Sequence, residues 1–312
     1  MFAFLTSVVT CVCINASTDN FRSYYAVSGN LNVFDCSFSR THQFGSSGGI
    51  LYYSGSGSIS VINSMFYNCK ASGNGGAIYF SGGTAFLDKI CGEYCASDTI
   101  HDGQFYLLYP QVESKSNMMS LSYCGDQTIG CCATNVLYKT QYYSYTNVSR
   151  CYSKEYSGPS FVYSSLVDFS YCTVSNNVVS EKTCVFIYQG SSVTLSFSNF
   201  VGNNSPSDGV LSITATSTFN SCVFSLNSNR LFNTIGTTTV KNSFIAHPSA
   251  NIGSITQTNN TFATFPLIPI VHFNSYYCEA LFTTKDPFTL TLRGIHQRFA
   301  FVFTLWAINI NY

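Results

Sequence analysis

Gly48-Gly49-Ile50-Leu51-Tyr52-Tyr53 recurs 27 residues later as Gly75-Gly76-Ala77-Ile78-Tyr79-Phe80. Each glycine pair leads into a short apolar and aromatic run, then a second Gly/Ser cluster (Ser54-Gly55-Ser56-Gly57; Ser81-Gly82-Gly83), then another strand-like run. The alternation has a period of two with no helical period between, so the unit reads strand, turn, strand, turn. A unit of about 20 to 30 residues with two or three short strands cannot close a core alone, so its copies must stack. The pattern predicts an all-β fold, a right-handed parallel β-helix.

A second mark extends the repeat over most of the chain: a Cys, Ser or Asn two residues before an apolar or aromatic position. It reads Cys36, Ser64, Cys172, Ser198, Cys222 and Asn242, with weaker copies at Cys91, Cys124 and Cys151. Successive marks lie 28, 27, 33, 27, 21, 26, 24 and 20 residues apart, which predicts about nine coils with these residues stacked on one edge. Leu51, Ile59, Val61, Ile78 and Phe86 are expected to point inward, and Val185-Phe186-Ile187-Tyr188, Val193-Thr194-Leu195 and Thr238-Thr239-Val240 to form later strands.

The repeats are expected over residues 34–264, with an insertion around 96–145, where Pro110 and a polar stretch interrupt the pattern. Residues 17–33 read as an N-terminal cap. Residues 1–16 are apolar and end in small residues, which fits a secretory signal lacking its positive start or, alternatively, a first buried strand. Residues 265–312 read as a cap or tail. Their apolar stretch 299–310 has 12 residues against the roughly 20 of a spanning helix, so membrane association is open but no full-length transmembrane helix is expected.

Charged residues make up 9% of the chain, with 14 basic and 14 acidic side chains balancing to zero. No basic patch exists to neutralise phosphates, so nucleic acid is not an expected partner. Solubility falls to Ser, Thr, Asn and Tyr, which fits an extracellular or cell-surface wall. Sequons at Asn15, Asn147, Asn203 and Asn259 are candidate glycosylation sites.

Of 14 cysteines, Cys91, Cys124, Cys151 and Cys172 fall on consecutive marks. Adjacent rungs lie about 4.8 Å apart, within disulfide reach, so one or two bonds are expected in this run, with Cys36 and Cys222 left as packed thiols.

A catalytic site on a β-helix needs clustered carboxylates on one wall. The nearest to a cluster is Asp98 with His101 and Asp102, read as solvated loop residues. The five histidines are scattered and Cys91-Gly92-Glu93-Tyr94-Cys95 has no matching second pair, so neither zinc nor any other cofactor is expected. The remaining signal is aromatic: 22 Tyr and 27 Phe exceed what a narrow core holds, so some must lie outside, as in Tyr142-Tyr143-Ser144-Tyr145. Exposed Tyr suits recognition of a glycan or a protein surface, while stacked ladders can also simply stabilise a sheet.

Laid out in register, the repeats resemble those of the chlamydial-type polymorphic outer membrane proteins and similar surface proteins of parasitic protists. The resemblance rests on Gly75-Gly76-Ala77-Ile78, the partial Gly48-Gly49-Ile50, and Phe200-Val201-Gly202-Asn203 with Phe224-Ser225-Leu226-Asn227. It implies a β-helical surface protein with an adhesive or host-facing role, and the chain is expected to act as an adhesion or interaction scaffold without catalytic activity. The alternative is a polysaccharide lyase or glycoside hydrolase of the same fold. The chain departs from the bacterial pattern in lacking room for a membrane barrel after the coils.

Overall fold

Alternate residues of an extended strand point to opposite sides, and here the inward set is Leu51 and Tyr53, then Ile59 and Val61, then Ser64 and Phe66. The computed structural model describes residues 9–11, 24–26, 29–43, 47–98, 103–190, 192–206, 208–248, 252–263 and 266–270. These residues form a parallel β-solenoid, consistent with a right-handed β-helix. One turn runs along Leu51–Ser54 on a first face, rounds a Gly/Ser corner, and follows the strand Ile59–Tyr67 across a second and a third face. It then crosses a short arm, Lys70–Ala71, before Ile78–Gly82 begins the next turn. Each position pairs with its counterpart one turn on: Leu51 with Ile78, Ile59 with Ala85, Met65 with Cys91, Lys70 with Ala96.

Down the first face the rungs start at Leu51, Ile78, Tyr106, Thr134, Pro159, Val185, Leu211 and Phe232. That is seven full turns, of 27, 28, 28, 25, 26, 26 and 21 residues. Tyr24–Ala26 is a further rung of this face, one turn of 27 residues before Leu51, and nine marks in the sequence count rungs and slightly overstate the turns.

Two bends per turn shape the cross-section. Between the second and third faces the backbone takes positive φ, as at Asp35 (53°), Asn63 (49°), Tyr171 (55°) and Phe197 (48°). A non-glycine residue pays on the order of 1 kcal/mol for that conformation, and the next residue compensates by pointing inward and bonding across the bend. Ser198 Oγ donates to the Ser196 carbonyl (2.7 Å) and accepts from Cys172 N–H on the rung before (3.1 Å). Ser64 and Ser243 repeat the arrangement. A small side chain that both donates and accepts suits the site.

The register gives this column as Cys36, Ser64, Ile90, Met119, Thr146, Cys172, Ser198, Cys222 and Ser243. Five of the expected marks belong to it. Cys91 lies one place too far along, and Asn242 is the bend residue itself, with φ of 52°. Cys124 and Cys151 belong to a second column, five residues on in every turn, that follows the next positive-φ bend: Cys69, Cys95, Cys124, Cys151, Asn177, Asn203 and Asn227. There the asparagines form a relay. Asn203 Oδ1 accepts from Asn177 N–H (3.2 Å) and Nδ2 (3.1 Å), while Asn203 Nδ2 donates to the Val174 carbonyl (2.9 Å).

The expected disulfide run therefore splits between positions. Cys124, Cys151, Cys172 and Cys222 are free buried thiols, and Cys36 is buried as they are. Cys91 is buried in the strand Ala85–Glu93. Burial pushes the Cys172 thiol far up and that of Cys222 up to about 12, so both stay protonated and inert near neutral pH.

Residues 96–145 follow the same ladder, with Tyr106–Pro110, Glu113–Asn117, Ser120–Ser122 and Thr134–Ser144 all paired in parallel to their neighbours. Their irregular look comes from a register shift at Lys139/Thr140 and from positive-φ bends at Tyr138 and Lys139, which stand in for the Gly/Ser corner. Phe86 faces outward because Ile59 pairs with Ala85 and Val61 with Leu87, which puts Ala85 and Leu87 inside. Val9–Cys11 and Leu31–Phe34 already form rungs of the second face. The rest of residues 1–16, and residues 271–312, lie outside the described residues.

Candidate ligand-binding cleft

Because each turn stacks on the last, residues one period apart meet on the surface. Tyr67 ends the strand Ile59–Tyr67, and Tyr94 and Tyr123 occupy positive-φ bends (54° and 52°) whose side chains must point away from the core. The Tyr94 and Tyr123 rings stack at 5.2 Å and 16°; Tyr67 meets Tyr94 edge to face at 5.8 Å and 87°. The Arg150 guanidinium lies 5.6 Å from the Tyr123 ring centre and donates to its hydroxyl at 3.0 Å.

Beside these rings opens a cleft of about 380 Å³, lined also by Asn68, Lys70, Ala96, Ser97, Asp98, Gly125, Asp126 and Ile129. Asp98 Oδ2 pairs with His42 Nε2 at 2.7 Å. Asp126 Oδ1 accepts from the Thr128 hydroxyl (2.6 Å) and N–H (2.8 Å). Those bonds, with a smaller contribution from Lys70, hold its carboxyl below the usual range. The loop that carries Asp126 lies close over Gln104, whose side-chain amide a Cβ at Gly130 would overlap. Gln104 Oε1 in turn accepts from Ser97 N–H at 3.1 Å, so its side chain lies between Ser97 and the loop.

Stacked rings turn their faces toward one another, so Tyr94 and Tyr123 offer edges and hydroxyls to the cleft. With two carboxylates and one ammonium nearby, the arrangement suits a polyhydroxylated ligand held by hydrogen bonds. It suits acid catalysis poorly, since an Asp126 held ionised has no proton to give. Asp98 of the expected acidic cluster lines the cleft; His101 and Asp102 lie outside the described residues. Among the described residues no group of three or more His, Cys, Asp or Glu is placed to hold a metal ion, and no helix is long and apolar enough to cross a membrane.

The wider aromatic surface follows the same rule. Tyr145, Tyr171 and Phe197 stack at 4.9 and 5.1 Å on successive bends, each more than a third exposed. Tyr138 and Tyr163 stack at 5.7 Å at the corner that follows the first face, each close to half exposed. Of the expected exposed group, Tyr142 and Tyr145 lie outside while Tyr143 is fully buried against Phe169. Among the sequons, Asn259 is exposed and Asn147 half-buried, whereas Asn203 is wholly enclosed in the asparagine relay, so a glycan there is incompatible with the fold. Asn15 lies outside the described residues.

The sequence reading missed Tyr67, Tyr94 and Tyr123. Tyr94 and Tyr123 occupy the same bend on successive turns, 29 residues apart, while Tyr67 pairs with Glu93, one place before Tyr94. The chain matches no protein-family model, and no curated protein or solved structure matches it significantly.

Proposed function

We propose that this chain is an extracellular or cell-surface interaction scaffold that binds a glycan, or the glycan-bearing surface of another protein, without chemical turnover. The observation that carries the proposal is the cleft at Tyr67, Tyr94 and Tyr123, where hydroxyl-bearing rings and the Asp98 and Asp126 carboxylates converge on a rigid stack of turns. Low charge and zero net charge fit a partner met through hydrogen bonds and shape more than through electrostatic steering. The likeness of the repeats to chlamydial-type surface proteins points the same way and belongs to this proposal.

A depolymerising enzyme is the second reading, favoured by one specific feature: the His42–Asp98 pair sits beside Asp126 in a cleft wide enough for a sugar. A glycan array together with a depolymerisation assay on acidic polysaccharides separates the two. Retention of a glycan without chain shortening, lost in Tyr94→Ala, supports the scaffold. Shortened products that disappear in Asp98→Asn support the enzyme.

A further inference from the structure

Cys131 and Cys132 differ from the other buried cysteines. Thiols of the two columns reach back to the carbonyl two residues earlier, as Cys95 does to Glu93 (3.5 Å) and Cys151 to Ser149 (3.5 Å), deep in the core. The adjacent pair instead closes the loop of residues 125–133 at the wall of the solenoid, with its sulfurs 3.2 Å apart, inside ordinary sulfur contact. Cys131 is 5% exposed and Cys132 fully enclosed. Their backbone is fixed: Gly103 N–H donates to the Cys131 carbonyl, Gln104 N–H to that of Cys132, and Cys132 N–H to Tyr156. The two sulfurs are therefore held together by the fold.

We propose that Cys131 and Cys132 form a vicinal disulfide, and that this pair is a reversible modification site on the cleft loop. Consecutive Cα atoms lie about 3.8 Å apart across a trans peptide, short of the roughly 4.4 to 6.8 Å that an unstrained disulfide spans. Strain of that kind makes the bond easy to reduce. The pair therefore responds to the surrounding redox poise and does not act as a permanent staple.

The oxidant is a low-molecular-weight disulfide. Cys131, the less enclosed of the two, gives up its proton, and its thiolate attacks one sulfur of the oxidant, forming a mixed disulfide and releasing one thiolate. Cys132, deprotonated in turn, attacks Cys131 Sγ, closes the ring and expels the second thiolate. The protein loses two electrons and two protons; the oxidant gains both and leaves as two thiols. Closure draws the sulfurs together at one end of a loop whose other end supplies Gly125, Asp126 and Ile129 to the cleft, so the oxidation state bears on the loop that borders the cleft. The proposal stands on the sulfur geometry and does not require the cleft to bind a glycan.

The test uses the full native chain incubated with oxidised glutathione, then denatured, alkylated and mapped by mass. The expected peptide spanning Cys131 and Cys132 is lighter by two hydrogens, takes no alkyl group, and reverts under mild dithiothreitol. Cys69, Cys95, Cys124 and Cys151 are alkylated throughout. Cys132→Ser is expected to accumulate the glutathione adduct on Cys131. Full alkylation of both cysteines overturns the proposal, as does glutathione retained on the native pair, a bond that resists dithiothreitol, or the absence of an adduct in Cys132→Ser.

Discussion

The turns across residues 104–164 and those across residues 185–245 share one backbone path and fill it differently. The later turns are packed with rings: Phe219 and Phe224 each lie within 5.3 Å of Phe232, and Phe200 stacks on Phe224 at 5.2 Å. Their buried polar side chains are paired: Asn203 and Asn227 both accept and donate, and Ser217 Oγ meets Thr238 Oγ1 at 2.8 Å. The middle turns bury Ser114 against Gln141 and Tyr106 against Ser116, and leave Gln104 Nε2, Asn135 Oδ1, Ser153 Oγ and Ser160 Oγ enclosed without a hydrogen-bond partner. Unpaired buried polar atoms cost stability. They gather in the turns that also carry the register shift at Lys139/Thr140, part of the cleft and the vicinal thiols. The contrast makes the later turns the more cohesive part, and the middle turns are where local rules are broken.

The contrast can be broken most forcefully in the aromatic stack. Phe224→Ala should cost about 3 to 5 kcal/mol, from lost transfer energy and an unfilled cavity, read by denaturant unfolding; a loss under about 1 kcal/mol would mean the later turns are not the cohesive part. Next, Asn203→Ala should cost roughly 2 to 3 kcal/mol because it leaves groups on two neighbouring rungs unpaired. Ser160→Ala in the middle turns should instead be neutral or slightly stabilising, by up to about 1 kcal/mol, since it deletes an unpartnered hydroxyl. The opposite order for those two substitutions would erase the distinction.

Glycan mapping sharpens the same picture from outside. Material from a glycosylating cell should carry sugar at Asn259 and none at Asn203; a folded chain modified at Asn203 would contradict the relay.

The smallest effect is in pH. Asp126 has a depressed folded-state pKa, so its contribution is fully present above the ordinary carboxylate range and is lost as pH falls through the depressed value. Amide exchange in residues 125–129 should therefore quicken on acidification below the usual carboxylate range, while exchange at Phe200 and Phe224 stays slow. Asp126 is mostly exposed, so the change should be confined to the loop.

The fold was legible because glycine pairs and period-two alternation report the turn and the strand directly, as at Gly48-Gly49 and Leu51–Ser54. The column was legible at Cys36, Ser64, Cys172, Ser198 and Cys222, where its residue is Cys or Ser, and off by one place at Ser243, where the mark fell on Asn242. It was misread between 91 and 151 because a second bend accepts the same residue types: there the column is filled by Ile90, Met119 and Thr146, while Cys124 and Cys151 answer to the other bend. The cleft was not legible by local motif. Tyr67, Tyr94 and Tyr123 are far apart in sequence, and only the register of successive turns brings them to one place.

Hydrogen exchange on the whole chain with a retained glycan bound tests the central claim most directly. The account predicts new protection at residues 94–98 and 123–129, with the later turns unchanged and the glycan recovered intact. Protection confined to the Tyr138 and Tyr163 face, or recovery of a shortened glycan, would contradict it.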